Sequence, residues 1–347
     1  MDPAIDAALR ATEAMYRERD WDLVAPFAAP DLVLDWSESL GPLRGVYHGT
    51  AAARRMFDRW TEAFSEMRWT LGWRRWFGSE LLVGASFTAR GAGSGIEVSA
   101  GGAELWTLED GKVARIKLFQ ESDAAWHAAR TRRLRDARLY FVCEARPHGE
   151  DPRPLLDAAL RGGVDILQLR DKELEGEELV AAGAPFRDAA EAGGALFILN
   201  DRPELVAASG ADGVHVGQED APVAGARELA GPGTLVGLST HSAEQIDAAH
   251  GAAGDARPDQ ISVGPVYETP TKEGRAATGL GLVRYAAQRA SIPWFAIGGI
   301  DTRNVGAVAA AGARRAVVVR AIRDASDPEA AARALRGGLA GAATVAA

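Results

Sequence analysis

The chain has 347 residues, more than twice the roughly 150 residues of a typical domain, so two domains are expected. Its composition, with 47% hydrophobic and 25% charged residues, is typical of a globular protein and excludes general disorder. The formal charge of −9 excludes a nucleic-acid binder that acts through a basic surface, and the single cysteine, Cys143, excludes an intramolecular disulfide or a multi-cysteine metal site.

The chain start and the hydropathy pattern predict a cytoplasmic protein. The opening residues, Met-Asp-Pro-Ala-Ile-Asp, lack the cationic and apolar regions of a secretory signal. No apolar run approaches the roughly 18 residues that a membrane-spanning helix needs. We therefore expect small-molecule substrates as partners, and neither nucleic acid nor a membrane.

The first third of the chain predicts an α+β domain. Residues 4–18 form an amphipathic pattern of helical period, Leu32–Trp36 reads as a strand, and Thr50–Phe64 reads as a second helix. Helices followed by a long antiparallel meander are typical of the α+β class. The meander is predicted from strands near Met67–Trp76, Leu81–Ala89, Glu97–Thr107 and Val113–Gln120.

Three short motifs give this first domain a family resemblance. They are Leu34-Asp35-Trp36, the turn Gly45-Val46-Tyr47-His48-Gly49 before a helix, and Asp110-Gly111-Lys112-Val113 between the closing strands. With them, residues 1–128 resemble the SnoaL-like, ketosteroid-isomerase-like cone fold. The resemblance implies an apolar pocket that hosts isomerases, cyclases, dehydratases or only a ligand in different members, so the fold alone names no activity.

Polar residues of the first domain are candidates for the wall of that pocket. Asp35, buried beside Trp36, is a candidate base with a raised pKa. The alternative is a binding, dimerising or structural module, since domains of this fold commonly pair, and a homo-oligomer is therefore one expected assembly. The candidate pocket residues are Tyr16, Asp35, Glu38, His48, Trp60 and Glu104.

Composition changes near residue 136. Eight of the nine tryptophans precede residue 130, and residues 1–135 carry 18 basic and 19 acidic residues against 21 and 29 in the remainder. Between the two parts, Glu121–Arg138 contains good helix formers and no glycine or proline. We place a charged helical linker at 129–138 and a second domain at 139–347.

The second domain predicts alternating strands and helices. Eight short apolar runs alternate with alanine-rich amphipathic stretches, which implies a parallel sheet. A (β/α)₈ TIM barrel of the α/β class is the simplest closure, with a doubly wound open sheet as the alternative. The predicted strands are Leu139–Cys143, Val164–Leu169, Ala195–Leu199, Gly213–Val216, Thr234–Leu238, Gln260–Val263, Trp294–Ile297 and Ala316–Val319.

Charged side chains follow several of these strands, at the end where a barrel carries its active site. Arg170, Lys172 and Lys272 supply fixed positive charge, and Asp201 with Asp220 is suited to a magnesium ion that bridges phosphate oxygens. Two of the four lysines of this arginine-rich chain fall in these loops. The pattern predicts a diphosphate site.

A second anion site is expected after the last two strands. They end in Gly298-Gly299 and Val319-Arg320, and the corresponding loops of such barrels commonly bind phosphate through backbone N–H groups. Two anion sites predict two phosphorylated substrates.

The loops together resemble the thiamine phosphate synthase family over about residues 139–339. No single motif is sufficient; the specificity lies in their combination and order. The motifs are Gln168-Leu169-Arg170-Asp171-Lys172, Asn200-Asp201, Gly217-Gln218-Glu219-Asp220, Ser239-Thr240-His241-Ser242, Gly264-Pro265-Val266, Thr269-Pro270-Thr271-Lys272 and Ala296-Ile297-Gly298-Gly299-Ile300.

The resemblance implies an enzyme that joins hydroxymethylpyrimidine diphosphate to thiazole phosphate and releases pyrophosphate. It implies Mg²⁺ as cofactor, with Asp201 and Asp220 as ligands, and a dissociative mechanism through a pyrimidinylmethyl cation. Arg170, Lys172, Ser239 and Lys272 are the implied catalytic residues. The implied substrate-binding residues are Gln168, Leu169, Arg170, Asp171, Lys172, Asn200, Ser239, Thr269, Pro270, Thr271, Lys272, Gly299, Val319 and Arg320.

The sequence departs from the family pattern at Arg320, where serine is common, and we expect this arginine to contact the thiazole phosphate. Cys143 is expected to be a buried core residue. His215 is expected to orient its loop and His241 to lie behind the substrate contacts. The segment Glu268–Thr278 is expected to act as a lid that excludes water.

Two alternatives to the synthase reading remain at this point. A related branch with the same fold rearranges the thiazole without making thiamine phosphate, but it typically lacks part of the diphosphate and metal set that this chain has. The other alternative is a ligand-sensing fusion without catalysis. In a related hypothesis, the first domain senses a thiamine-related ligand and tunes the synthase.

Overall fold

The computed structural model describes residues 3–39, 43–269 and 276–340. The chain divides into two compact units, Met1–Ala129 and Arg130–Ala347. No helix in the described ranges is long and apolar enough to cross a membrane.

The first unit is a curved six-stranded sheet with two helices. Helix α1 buries Ile5, Leu9 and Tyr16, which recur at helical spacing and face the sheet. The strand order is β2-β1-β6-β5-β4-β3, in which β3 to β6 form an antiparallel meander and β1 joins β6 in parallel. The elements are α1 (Pro3–Glu18), β1 (Ala28–Asp35), β2 (Val46–His48), α2 (Thr50–Thr61), β3 (Phe64–Phe77), β4 (Glu80–Gly91), β5 (Glu97–Glu109) and β6 (Lys112–Phe119).

One strand of this sheet was not expected. Residues 45–49 read as a turn, but Val46–His48 pairs antiparallel with β1 through Asp35, Leu34 and Val33. The chain turns only at Gly49, whose φ of +80° is open to glycine and strained for other residues, and α2 begins directly after it. Three residues are too few for an alternating pattern to show in the sequence.

Helix α3 (Ser122–Asp136) follows the sheet and contains the residue at which the first unit ends. Its last turns carry Arg130 and Arg133, which belong to the second unit and pair with buried carboxylates there. The sequence predicts a helical linker at 129–138, and in the structure this segment is helical up to Asp136.

The second unit is a closed barrel of eight parallel strands, which confirms the TIM-barrel prediction over the open sheet. Its strands are buried along most of their length because helices cover the outer face, as in β8, where all four residues are buried. The strands are β7 (Leu139–Cys143), β8 (Ile166–Leu169), β9 (Leu196–Asn200), β10 (Gly213–Val216), β11 (Leu235–Thr240), β12 (Gln260–Val263), β13 (Trp294–Ile297) and β14 (Ala316–Val318).

The helices of the barrel pack their apolar sides onto these strands. One example is Phe186 of α5, whose ring stacks on that of Phe197 of β9 with the ring centroids 5.9 Å apart. Cys143 is buried in the same core, and burial raises the pKa of its thiol. The helices are α4 (Arg153–Arg161), α5 (Gly176–Gly193), α6 (Val206–Ser209), α7 (Val223–Ala230), α8 (Ala243–Gly251), α9 (Gly279–Arg289), α10 (Val305–Ala310), α11 (Arg320–Arg323) and α12 (Pro328–Ala340).

Candidate functional site

A cavity of about 800 Å³ opens at the carboxyl ends of the barrel strands. Parallel strands of a barrel all end at this face, so residues far apart in the sequence meet there. The structure brings most of the predicted site residues to its wall. These are Gln168, Arg170, Asp171, Lys172, Asn200, Asp201, Asp220, Ser239, Thr269, Gly299, Val319 and Arg320.

The structure corrects the assignment of Leu169 to the substrate site. Successive side chains of a strand point to opposite faces, so Gln168 faces the cavity while Leu169 packs in the core between the strands and the helices. Pro270, Thr271 and Lys272 lie outside the described residues, as does most of the predicted lid.

Two carboxylates meet where β9 and β10 end. Asp201 adopts a φ of +62°, a backbone conformation that is strained for any residue other than glycine. Its backbone N–H donates to the carbonyl of His215 at 3.0 Å. Asp220 accepts from the N–H of Gly217 at 2.7 Å. Burial, together with the charge of Asp220 and a hydrogen bond to it, raises the pKa of Asp201 to about 6.

This pair fits a divalent cation bound together with substrate oxygens. The charge of Asp220 contributes to the raised pKa of Asp201, so the two carboxylates repel in their charged forms, and a bound cation relieves that repulsion. Among the described residues, no group of three histidine, cysteine or acidic side chains could hold a metal ion. The remaining ligands would have to come from water or from phosphate oxygens, as is usual for Mg²⁺.

Cationic side chains line the same cavity. Arg170 and Lys172 extend from the loop after β8, and Arg320 lies after β14. Asp171, between the first two, accepts the N–H of Ala145 at 3.2 Å and that of Glu173 at 3.0 Å. Asp171 therefore fixes the shape of the cationic loop.

The turn after β13 exposes backbone to the cavity. Gly298 and Gly299 adopt φ of +104° and +62°, and a Cβ on Gly299 would lie 2.7 Å from that of Tyr267. A side chain at this point would need the neighbouring loop to move. The turn therefore keeps open backbone in a cavity wall that also includes Val319 and Arg320.

A buried hydrogen-bonded chain supports Ser239, and the sequence did not reveal it. The Gln260 amide donates to Nδ1 of His215 at 2.9 Å, and Nε2 of His215 lies 3.0 Å from the Ser239 hydroxyl. With Nδ1 accepting, Nε2 carries the proton and donates to Ser239, whose own O–H is then available to the cavity. Gly237 leaves room for this chain, since a Cβ there would lie 2.0 Å from the Gln260 nitrogen.

Tyr140 of the cavity wall was also missed. Gln168 donates to the hydroxyl of Tyr140 at 2.6 Å inside the barrel, which orients its amide. His241 contacts the carbonyl of Gly264 through Nδ1 at 2.6 Å. The available signal was a polar residue inside an otherwise apolar strand, as at Gln260, because such a residue needs a buried partner.

In the first unit, the structure contradicts the raised pKa expected for Asp35. Burial alone would raise it, but hydrogen bonds from Ser37 and the ion pair with Arg115 outweigh that effect and lower the pKa. Of the candidate pocket residues, Tyr16 and Glu104 line a small cavity. Asp35, Glu38, His48 and Trp60 are absent from its described wall.

Comparison with known proteins assigns both units. A family model described as thiamine monophosphate synthase matches residues 139–322, and one described as a SnoaL-like domain matches residues 9–116. The first unit thus carries a SnoaL-like domain.

The similar proteins cover the second unit. The thiamine-phosphate synthase of Mycobacterium tuberculosis (strain ATCC 25177 / H37Ra) is 52% identical over 218 residues, 60% of this chain and 96% of that protein. That of Arthrobacter sp. (strain FB24) is 50% identical over 222 residues, 58% of this chain and 94% of that protein. The solved thiamine phosphate pyrophosphorylase from Pyrococcus furiosus is 29% identical, with a TM-score of 0.54, and covers 60% of this chain and 98% of its own. The chain belongs to the thiamine monophosphate synthase family.

Proposed function

We propose that the barrel cavity is where hydroxymethylpyrimidine diphosphate and thiazole phosphate combine to give thiamine phosphate and pyrophosphate. The family assignment supports the reaction. One observation supports this location of the reaction: two cations, Arg170 and Lys172, line the same cavity as a pair of carboxylates. The pair is Asp201 and Asp220, at the same end of the barrel. Cations beside a carboxylate pair suit a diphosphate bound with a divalent ion.

Asp201 and Asp220 would hold the magnesium ion, which when bound supplies positive charge to the diphosphate oxygens. Arg170 and Lys172 donate to the same leaving group and stabilise the charge that it gains. The bond between the pyrimidinylmethyl carbon and the diphosphate oxygen breaks with both electrons on oxygen. The thiazole nitrogen then uses its lone pair to form the new C–N bond.

The remaining cavity residues position the reactants. Gln168, held by Tyr140, and Ser239, held by His215, offer fixed hydrogen-bonding groups at the cavity floor. The open backbone turn at Gly299 and the guanidinium of Arg320, both in the cavity wall, would bind the phosphate of the thiazole. A cavity of about 800 Å³ lies within the range of ligand sites, roughly 300–1,000 Å³.

Arg320 gives a direct test of the thiazole phosphate subsite. We expect Arg320→Ser, the residue common in the family, to raise the KM for thiazole phosphate about tenfold, because a charge-assisted hydrogen bond is lost. The KM for the pyrimidine diphosphate should stay unchanged. Steady-state kinetics with each substrate varied separately measures both values, with Arg314→Ser as the control because Arg314 is exposed and absent from the described cavity wall. An unchanged thiazole KM would remove Arg320 from the subsite.

The carboxylate pair predicts how Mg²⁺ binding depends on pH. The pKa of Asp201 is raised to about 6, and a proton on this group competes with the metal. Mg²⁺ affinity should therefore increase about tenfold per pH unit below pH 6 and level off above it. Titration of the protein with Mg²⁺ at several pH values measures the dependence, without pyrophosphate, because its own oxygens bind Mg²⁺ and also take up protons in this range. An affinity that does not change between pH 5 and pH 7 would contradict the assignment of Asp201.

Thiazole rearrangement without synthesis is the second candidate reaction. The complete set of diphosphate and metal residues favours synthesis. Incubation of the full chain with both substrates and Mg²⁺, followed by separation of the products, distinguishes the two reactions. Thiamine phosphate with an equal amount of pyrophosphate supports synthesis, and a rearranged thiazole with unconsumed pyrimidine diphosphate refutes it.

A further inference from the structure

The SnoaL-like domain contains a small cavity that the barrel chemistry does not use. It measures about 50 Å³ and lies between α1, β1, β5 and β6, with an almost wholly apolar wall. Glu104 of β5 and Tyr16 of α1 are the titratable residues of its described wall. Trp21 and Trp106 add aromatic surface to the same wall.

The carboxyl group of Glu104 is buried, with 3% of the residue exposed. One oxygen accepts the indole N–H of Trp106 at 2.7 Å. The indole N–H of Trp69 is close to the same carboxyl group and lowers its pKa. This N–H is buried, and among the described residues it has no partner with good hydrogen-bond geometry. In the described part of the chain, no cation pairs with Glu104, while the nearby Arg115 and Lys117 of β6 pair with Asp35 and Glu38.

A buried carboxylate without a counter-cation is costly to keep ionised. Burial accordingly raises the pKa of Glu104 to about 7, although the two indole N–H groups act in the opposite direction. Burial, with the charge of Glu104 added, also raises the pKa of the Tyr16 hydroxyl, which stays a neutral donor. The cavity thus presents one carboxyl group as a hydrogen-bond acceptor. In the described part of the chain this group has no positively charged partner, and aromatic rings surround it.

We propose that this cavity binds the ammonium end of a small amine, with Glu104 as its counter-ion. An ammonium group supplies the missing positive charge and N–H donors, and aromatic rings attract such cations. The volume limits what can enter: a cavity of roughly 150 Å³ binds benzene, so about 50 Å³ admits the charged nitrogen with a few carbons. A pyrimidine or thiazole ring does not fit inside it, and the amine class therefore differs from the substrates of the barrel.

Propylammonium and 1-propanol make a matched pair of probes, because they share size and shape and differ in charge. The full chain is titrated with each while the indole N–H signals of Trp69 and Trp106 are followed by NMR, after assignment through the Trp→Phe variants. We expect saturable shifts with propylammonium and at least tenfold weaker binding of 1-propanol. Glu104→Gln should reduce the affinity for propylammonium to that for 1-propanol.

The pH dependence separates ion pairing from simple filling of the cavity. Propylammonium stays protonated between pH 6 and pH 8, so only Glu104 changes charge among the titratable residues of the described wall. With its pKa at about 7, the affinity should increase about tenfold over this range. Binding that does not change with pH would overturn the proposal.

Glu38→Gln is the matched control, since Glu38 pairs with Lys117 and is absent from the described cavity wall. It should leave propylammonium binding unchanged. If Glu104→Gln does not fold, Trp106→Phe keeps the carboxylate but removes its indole donor, and should move the pH midpoint of binding upward. Equal binding of the amine and the alcohol, or no saturable shift of either indole signal, would overturn the proposal.

Discussion

Replacing Asp220 by asparagine is expected to lower the kcat for thiamine phosphate about a hundredfold to a thousandfold, the usual effect of removing one charge-stabilising group at a reacting centre. The substitution keeps the shape of the side chain, and its amide oxygen can still accept the N–H of Gly217, which now lies 2.7 Å from Asp220. One of the two negative charges at the proposed metal position is lost. Asp220 is exposed, so the stability of the fold should change little.

Glu219→Gln is the control for this variant. Glu219 is the adjacent exposed carboxylate and is absent from the described wall of the cavity, so its loss should leave kcat unchanged. The two variants are compared by initial rates at saturating Mg²⁺ and substrates. Equal rates in Asp220→Asn and in the unmodified chain would refute the role of the carboxylate pair. From the family resemblance, Lys272→Ala is predicted to cause a loss of similar size.

The second large effect concerns the end of the barrel at which the strands begin, opposite the cavity. We expect Asp165→Ala to lower the free energy of unfolding of the barrel by about 3–5 kcal/mol, because it leaves the largely buried guanidinium of Arg133 and two backbone N–H groups without their acceptor. Asp165 accepts from Arg133 at 2.9 Å and from Arg336 at 2.6 Å. It also accepts the backbone N–H groups of Arg138 at 2.7 Å and Leu139 at 3.1 Å, at the start of β7.

The pKa of Asp165 gives the sign of the pH effect. Burial alone would raise this pKa, but the charges of Arg133 and Arg336 and the backbone hydrogen bonds lower it below the usual value of an aspartate. Its contribution is therefore present above the unfolded pKa of about 4 and is lost as the pH falls through the lower folded value. Asp165→Ala should destabilise the barrel at pH 7 and have a smaller effect under acid conditions.

Hydrogen exchange measures this stability for the barrel alone. The amide protons of β8 and β9 exchange only when the barrel opens, so their rates report its free energy of unfolding without a contribution from the first unit. Asp157→Ala, an exposed residue of α4, is the control and should change the free energy by less than about 0.5 kcal/mol. A similar small change for Asp165→Ala would show that the buried network is not needed for stability.

The barrel was predictable from sequence because its signals are local. Short apolar runs alternated with amphipathic stretches, and each run corresponds to a strand of the barrel within a few residues. The site followed from topology: once the strands are parallel, the residues after them share one face. Arg170, Asp201 and Asp220 could therefore be placed together before any distance was known.

What the sequence missed depends on partners that are distant along the chain. Leu169 lies in a matching motif, but the face to which it points is set by strand alternation and by the helices outside the barrel. The lowered pKa of Asp35 depends first on hydrogen bonds from the neighbouring Ser37 and then on Arg115, which is 80 residues away. Gln260 supports Ser239 only through His215, so no spacing of residues indicates its role.

The central claim is that residues of the second unit alone form the synthase site, since every described residue of the cavity wall belongs to Arg130–Ala347. The most direct measurement compares thiamine phosphate formation by the full chain and by residues 130–347, with both substrates and Mg²⁺. Arg130 and Arg133 remain in the shorter chain with their buried carboxylate partners, which favours its folding. We predict equal kcat/KM values within about twofold, well under the tenfold change that 1.4 kcal/mol would produce. A folded barrel, shown by circular dichroism, that forms no thiamine phosphate while the full chain does would contradict the claim.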